Sequence, residues 1–199
     1  MNPYGVDWAR FSLPKELEAH SNRNNRPLRF LFVGTICARK GIPLLLDAWR
    51  RLEHRRGDAE LWIAGRCAKP LEQLLPKLPG LKILGQVPKG DMANIYQQCD
   101  VLVLPSFLEG FALVVLESLA AGLMCITTAN SGAGEVLKNP KLAREIPVGD
   151  VEALHDSLAQ TIDSPPNRDE VINSMNFLRE QFSWEAYANR WKRLLMEST

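Results

Sequence analysis

The sequence predicts an α/β fold: a doubly wound, Rossmann-like parallel sheet of about six strands, followed by carboxyl-terminal helices. Three observations lead there. Apolar runs of strand length recur between residues 30 and 148, and their hydrophobicity is continuous rather than alternating, as in a sheet covered on both faces. The segments between them carry apolar residues at helical spacing and supply the covering layers. Beyond residue 150 the strand pattern stops and only helical segments follow.

Taken in order, residues 1–27 are irregular, and the polar "HSNRNNRP" ahead of the first strand reads as a linker. The first strand is Phe30 to Val33. In "GIPLLLDAWRRLEHRR" the residues Ile42, Leu45, Leu46, Trp49 and Leu52 follow the i, i+3, i+4, i+7 pattern of a helix. Arg50, Arg51, Arg55 and Arg56 fall largely off that stripe and read as a solvated face, with a docking face for a protein or an anionic membrane as the alternative. Further strands are expected at Leu61 to Ala64, Leu81 to Leu84, Val101 to Leu104, Cys125 to Thr128 and Arg144 to Val148. Helices are expected at 70–78, 91–98 and 111–121. Three more follow at 150–163, 167–181 and 184–197, the first two separated by Pro165 and Pro166. The division that results is a linker-like segment at 1–27, the Rossmann-like domain at 28–182 and a terminal helix at 183–199.

A chain of 199 residues is long enough for one self-sufficient core. A formal net charge of +1 gives no general attraction to nucleic acid, so any basic patch must be local. Cys37, Cys67, Cys99 and Cys125 lack CxxC or Cys/His ligand spacing and read as reduced core thiols of a cytoplasmic protein. The longest apolar run, around 111–129, is broken by Glu117, Ser118 and Gly122, too soon for a membrane span. The amino terminus lacks the pattern of a signal peptide.

In open α/β sheets ligands bind beyond the carboxyl ends of the strands. The loops there are "GTICARKG", "GRCAKP", "GQVPKGDM", "PSFLEGF" and "ANSGAGE", rich in glycine, cations and carboxylates. A P-loop is excluded, because counting from Gly34 puts Arg39 at its second glycine and Gly41 at its hydroxyl. The dinucleotide fingerprint fails too, since its only fragment, Gly132-Ala133-Gly134, continues as Glu135-Val136-Leu137. What remains is a glycine turn at Gly34, then Arg39 and Lys40 entering a helix whose positive end favours anions. A diphosphate suits that arrangement; solvated cations are the alternative. The N–H groups of Gly110 and Phe111 lie at the start of the next helix and form a second candidate anion site. Glu109 and Glu117, eight positions apart, sit roughly 80° apart around a helix and could face one cleft. Each carboxylate offers two acceptors to vicinal hydroxyls, and for Glu117 a buried arginine partner is the competing assignment.

These stretches resemble a known family. "PSFLEGFALVVLESLAAGLMCITTANSGAGEVL" resembles the EGFG–E-x7-E–GxPV–GG-E region of glycosyltransferase family 4, retaining nucleotide-sugar enzymes of the GT-B fold. "VGTICARKGIPLLLDAW", "WIAGR", "GQVPKGDMANIYQQCDVLVLPS", "YGVD" and "FSWEAYANRW" are similar to further family segments, so the likeness covers nearly the whole chain. The resemblance implies catalytic roles for Arg39, Lys40 and Glu109: the cations neutralise the donor diphosphate, and Glu109 meets the sugar. It implies that Glu117 holds the ribose, that the base lies by the loops at Gly65, Arg66 and Val87, and that Gly34, Thr35, Gly110, Phe111, Ala112 and Leu113 complete the donor site. No metal or other cofactor is implied, and no DxD occurs to hold one. Thr35 stands where the family often has arginine, Ala112 where it has glycine and Met124 where it has proline. Two Rossmann-like lobes make a GT-B enzyme, and "YGVD" resembles the handover between them. The resemblance thus implies the donor-binding half of a hexosyltransferase-like enzyme. It implies partnership with an amino-terminal acceptor lobe and allows peripheral membrane association of the full enzyme. His20, His54 and His155 match no family motif and read as surface residues. Trp184, Tyr187, Trp191 and Leu195 would face that other lobe, or else be exposed, folded back or used in a dimer. A non-catalytic interaction or nucleotide-binding module is the alternative of another class.

Overall fold

A computed structural model describes residues 5–12, 26–52, 55, 57–67, 75–110, 112–132 and 138–197. Six parallel strands form one sheet: β1 Leu28–Val33, β2 Ala59–Ala64, β3 Leu81–Gly85, β4 Val101–Leu104, β5 Met124–Thr128 and β6 Ala143–Ile146. Their order is β3-β2-β1-β4-β5-β6. The chain winds outward from β1 in one direction and from β4 in the other, so these adjacent strands mark the switch point. Phe30, Leu31, Phe32 and all of β4 are buried, which is why their sequences are continuously apolar. Asp100 fixes the amino ends of this pair: it accepts two bonds from the Arg26 guanidinium at 2.7 and 2.8 Å and the Arg29 N–H at 2.8 Å. With Phe30 opposite Val101, the carboxyl ends of β1 and β4 come level.

The helices are α1 Trp8–Phe11, α2 Ile42–Arg51, α3 Met92–Gln98, α4 Leu113–Ala120, α5 Val151–Asp163, α6 Arg168–Arg179 and α7 Trp184–Glu197. Several differ from the sequence expectation. Within the segment expected to be irregular, α1 is a real helix, capped by Asp7, with Trp8 and Phe11 buried and Phe11 edge-on to Tyr96. The carbonyl of Phe182 ties it down, accepting the Val6 N–H at 2.8 Å and the Trp8 indole N–H at 3.3 Å. Of the helix expected at 70–78, residues 70–74 lie outside the described residues and 75–78 are not helical. The sixth strand ends at Ile146, since Pro147 has no N–H and Gly149 turns the chain at φ 79°. Only Cys99 and Cys125 are core thiols, with burial pushing each up to about 12; Cys37 and Cys67 are half-exposed.

The described arginines along and after α2 lie on a solvated face, as expected, and part of that face also reaches across to α5. Arg51 pairs with Glu152 and with Asp47, Arg55 pairs with Asp163, and Arg50 pairs with Asp47, so two of the three described arginines reach carboxylates of α5. These exposed pairs align α2 with α5 more than they stabilise it. Arg56, like His20 and His54, lies outside the described residues. His155 is partly exposed beside Asp156. No residue of α7 is buried: Trp184 and Leu195 are 50% and 65% exposed, and Trp184, Tyr187 and Trp191 stack edge-on along it.

Arg168 is a partly buried cation that the sequence pattern does not flag. Its guanidinium donates to the carbonyls of Cys99 at 2.7 Å, Gln97 at 3.2 Å and Tyr96 at 3.4 Å, closing the end of α3. Burial lowers its pKa, and the charges of Asp100 and Asp169 offset this only in part. Arg168→Ala is therefore expected to lower the unfolding free energy by about 2–4 kcal/mol, because several carbonyls lose a charged donor. Arg168→Lys recovers only part, lacking the planar fork. Urea unfolding of both variants checks this; an unchanged midpoint for Arg168→Ala counts against it.

Candidate functional site

At the switch point the loops following β1, β4 and β5 are bonded to one another. Gly34 leaves β1 with its N–H on the Ala64 carbonyl at 3.0 Å, and Ile36 N–H reaches the Arg66 carbonyl at 3.0 Å. A 3-10 turn, Ala38–Lys40, then presents both cations, and Gly41 at φ 74° redirects the chain into α2. Arg39 accepts the Phe107 N–H at 2.9 Å and donates through Nη1 to the Leu108 carbonyl at 2.8 Å. Lys40 Nζ pairs with Glu109 Oε1, which also accepts from Ser106 Oγ at 2.9 Å. From β5, Thr128 Oγ1 donates to the Ser106 carbonyl at 2.7 Å, and Asn130 exchanges bonds with Phe107 and Glu109 at 2.9 and 3.0 Å. Arg39, Lys40 and Glu109 are thus brought together, because β1 and β4 are neighbours in the sheet.

Other residues fall differently. The helix expected from 111 begins at Leu113, and the Ala112 N–H is already committed to the Ser131 carbonyl at 3.1 Å. Gly110 therefore precedes the helix by more than one residue. It is exposed, and its N–H donates to no acceptor among the described residues. Phe111 lies outside them. Thr35 and Arg66 are exposed at the carboxyl ends of β1 and β2, Gly65 N–H meets the Gly85 carbonyl at 2.7 Å, and Val87 is half-buried against the core.

Glu117 joins none of the Lys40 bonds. Its Oε2 accepts from Tyr96 Oη at 2.8 Å, so a tyrosine, not an arginine, is its buried partner. The carboxylate lines a cavity of about 300 Å³ with Asp7, Arg10, Lys89, Met92 and Leu113. Burial raises its pKa, opposed by the Tyr96 bond and by the charges of Arg10 and Lys89. Burial, reinforced by that carboxylate, holds Tyr96 well above the usual tyrosine range, so it stays a donor. Ser106, Thr128, Tyr96 and Lys89 also belong to this candidate site, and sequence reasoning did not single them out. The one signal available was that Ser106 and Thr128 are polar residues at strand ends. Among the described residues no group of histidine, cysteine and acidic side chains could hold a metal, and no helix is long and apolar enough to cross a membrane.

Residues 15–176 match the family model described as glycosyl transferases group 1. The chain belongs to this glycosyltransferase family. Among curated relatives, the phosphatidyl-myo-inositol mannosyltransferase of Mycobacterium tuberculosis is 26% identical over 200 residues, covering 96% of this chain and 52% of the relative. The chain spans about half the length of the curated relatives it matches. The C-terminal domain of a glycosyl transferase group 1 family protein from Francisella tularensis superposes with a TM-score of 0.70 at 18% identity, covering 94% of this chain and 98% of that one. Anabaena HepE in complex with UDP and glucose superposes at 0.77 and 17% identity, with 97% and 55% covered. The fold is accordingly that of the C-terminal half of a GT-B glycosyltransferase, and the six-stranded sheet with trailing helices is that half. Within this glycosyltransferase domain the Lys40–Glu109 pair and the Glu117 cavity occupy separate places, on the loop before α4 and along its first turns.

Proposed function

We propose that the chain is the nucleotide-sugar-binding domain of a retaining glycosyltransferase and takes a nucleoside-diphosphate sugar across the carboxyl ends of β1 and β4. The observation that carries this reading is the meeting of Arg39, Lys40 and Glu109 at the switch point, beside the exposed backbone of Gly110. When a glycosyl group leaves, negative charge grows on the departing diphosphate, and fixed cations and amides stabilise it. Arg39, Lys40 and the Gly110 N–H are the groups to do so, Glu109 is the acceptor for sugar hydroxyls, and Glu117 in its cavity is the acceptor for the ribose. Gly34, Thr35, Gly65, Arg66, Val87, Ala112 and Leu113 form the surrounding walls, with Phe111 alongside in sequence. The UDP and glucose in the Anabaena structure support a donor of this class. Transfer needs no metal in this scheme, because side-chain cations carry the countercharge. Acceptor and general base come from the amino-terminal lobe of the full enzyme.

Calorimetric titration with UDP, GDP and ADP tests the site. One of them is expected to bind in the micromolar to low-millimolar range. Lys40→Ala should weaken that binding about tenfold or more, the size of one charge-assisted bond to phosphate. Failure of all three to bind at millimolar concentration, or an unchanged affinity in Lys40→Ala, overturns the assignment.

A further inference from the structure

The lysine that would hold the donor phosphate already has an anion on it. Glu109 Oε1 lies on Lys40 Nζ, with the two side chains 9% and 16% exposed. The carboxylate is seated firmly: Ser106 Oγ donates to the same oxygen, the Glu109 N–H is bonded to Asn130, and buried Thr128 holds the Ser106 carbonyl. A carboxylate so placed competes with phosphate for the ammonium, and what a ligand gains by displacing it depends on what it offers in return. An intact nucleotide sugar brings hydroxyls that can donate to a displaced carboxylate. The free nucleoside diphosphate ends instead in a phosphate with one more ionised oxygen and no donor.

We propose that Glu109 is a specificity-determining residue that competes for Lys40 and so selects the intact sugar nucleotide over the free nucleoside diphosphate. The inference rests on the donor-binding reading and deepens it: the same lysine serves both ligands, but only one compensates the glutamate. Its consequence is a site that releases the spent diphosphate readily and refills with donor.

Glu109→Gln keeps the side-chain volume and an acceptor for Ser106 while removing the charge. Calorimetry with UDP, GDP and ADP and with UDP-glucose, GDP-mannose and ADP-glucose compares the two ligand classes on the full chain. In Glu109→Gln the affinity for the diphosphate that binds is expected to rise about tenfold, while that for its sugar conjugate does not rise. In a Lys40→Ala background the same exchange should change diphosphate affinity less than about threefold, because the object of competition is gone. Ser106→Ala, which loosens the carboxylate without removing it, should shift the preference the same way by a smaller factor. A drop in diphosphate affinity, or equal changes for both ligand classes, overturns the inference and leaves donor binding intact. Absence of all nucleotide binding in the unsubstituted protein overturns both. Should Glu109→Gln fail to fold, Ser106→Ala decides: an unchanged preference there overturns the proposal.

Discussion

Gly41→Ala is expected to lower the unfolding free energy by about 3–5 kcal/mol and to abolish nucleotide binding at temperatures where the unsubstituted chain binds. Two penalties combine. Gly41 has φ 74° and ψ 15°, a left-handed conformation in which a side chain costs about 1–2 kcal/mol. The added Cβ would also lie 2.0 Å from the Pro105 carbonyl oxygen and 2.7 Å from its carbon. Neither neighbour yields easily, because Thr127 Oγ1 holds the Leu104 carbonyl at 2.9 Å and Thr128 Oγ1 holds that of Ser106 at 2.7 Å. Relief must come from the loop after β1, which pulls Arg39 off Phe107 and Leu108 and Lys40 off Glu109. Glycine at 41 is what lets the two halves of the site touch. Urea unfolding gives the energy and calorimetry gives the binding; a loss below about 1 kcal/mol would show that the two loops are not so tightly apposed. Gly65, whose Cβ would fall 1.7 Å from the Gly34 carbonyl oxygen, guards the neighbouring β1–β2 contact in the same way.

The inner strands were legible because they are covered on both faces, so an apolar run such as "VLVL" is itself the record of burial. Strand order was not, since a continuous run carries no trace of its neighbour; only the pairings place β1 beside β4. Four residues of α1 are too few to show a helical period, and Phe182, far along the chain, holds them. The start of α4 depends on Ser131 taking the Ala112 amide, a non-local bond with no local signature. For the candidate site, glycine and charge in the loops after the first and fourth strands were enough to mark Arg39, Lys40 and Glu109. Their pairing was hidden, because residues 69 positions apart meet only through the sheet. Tyr96 shows the same limit from the other side. On α3 it occupies an apolar position and is fully buried, yet its hydroxyl is the partner of Glu117.

Glu117→Gln is expected to weaken nucleotide binding by about 10- to 100-fold, the worth of charged hydrogen bonds to ribose hydroxyls, and to stabilise the protein at alkaline pH. The two effects have one cause. Burial raises the Glu117 carboxyl above its ordinary value of 4.5, and the Tyr96 bond with the charges of Arg10 and Lys89 offsets this only in part. Folded, the group binds its proton more tightly than unfolded, so its favourable contribution is complete below the ordinary glutamate range. That contribution is lost as pH rises through the raised value, and the ionised side chain then opposes folding. Glutamine keeps an acceptor for Tyr96 and carries no charge to desolvate. The variant's thermal midpoint should therefore exceed that of the unsubstituted protein most at pH 8, by roughly 2–4 °C for each kcal/mol relieved, and the gap should close toward pH 4. Midpoints that differ by the same amount at every pH would remove the buried carboxylate as the cause. A residue whose replacement strengthens the fold and weakens the ligand is maintained for the ligand, and an acid placed against a 300 Å³ cavity, with Tyr96 as its hydrogen-bond partner among the described residues, fits that description.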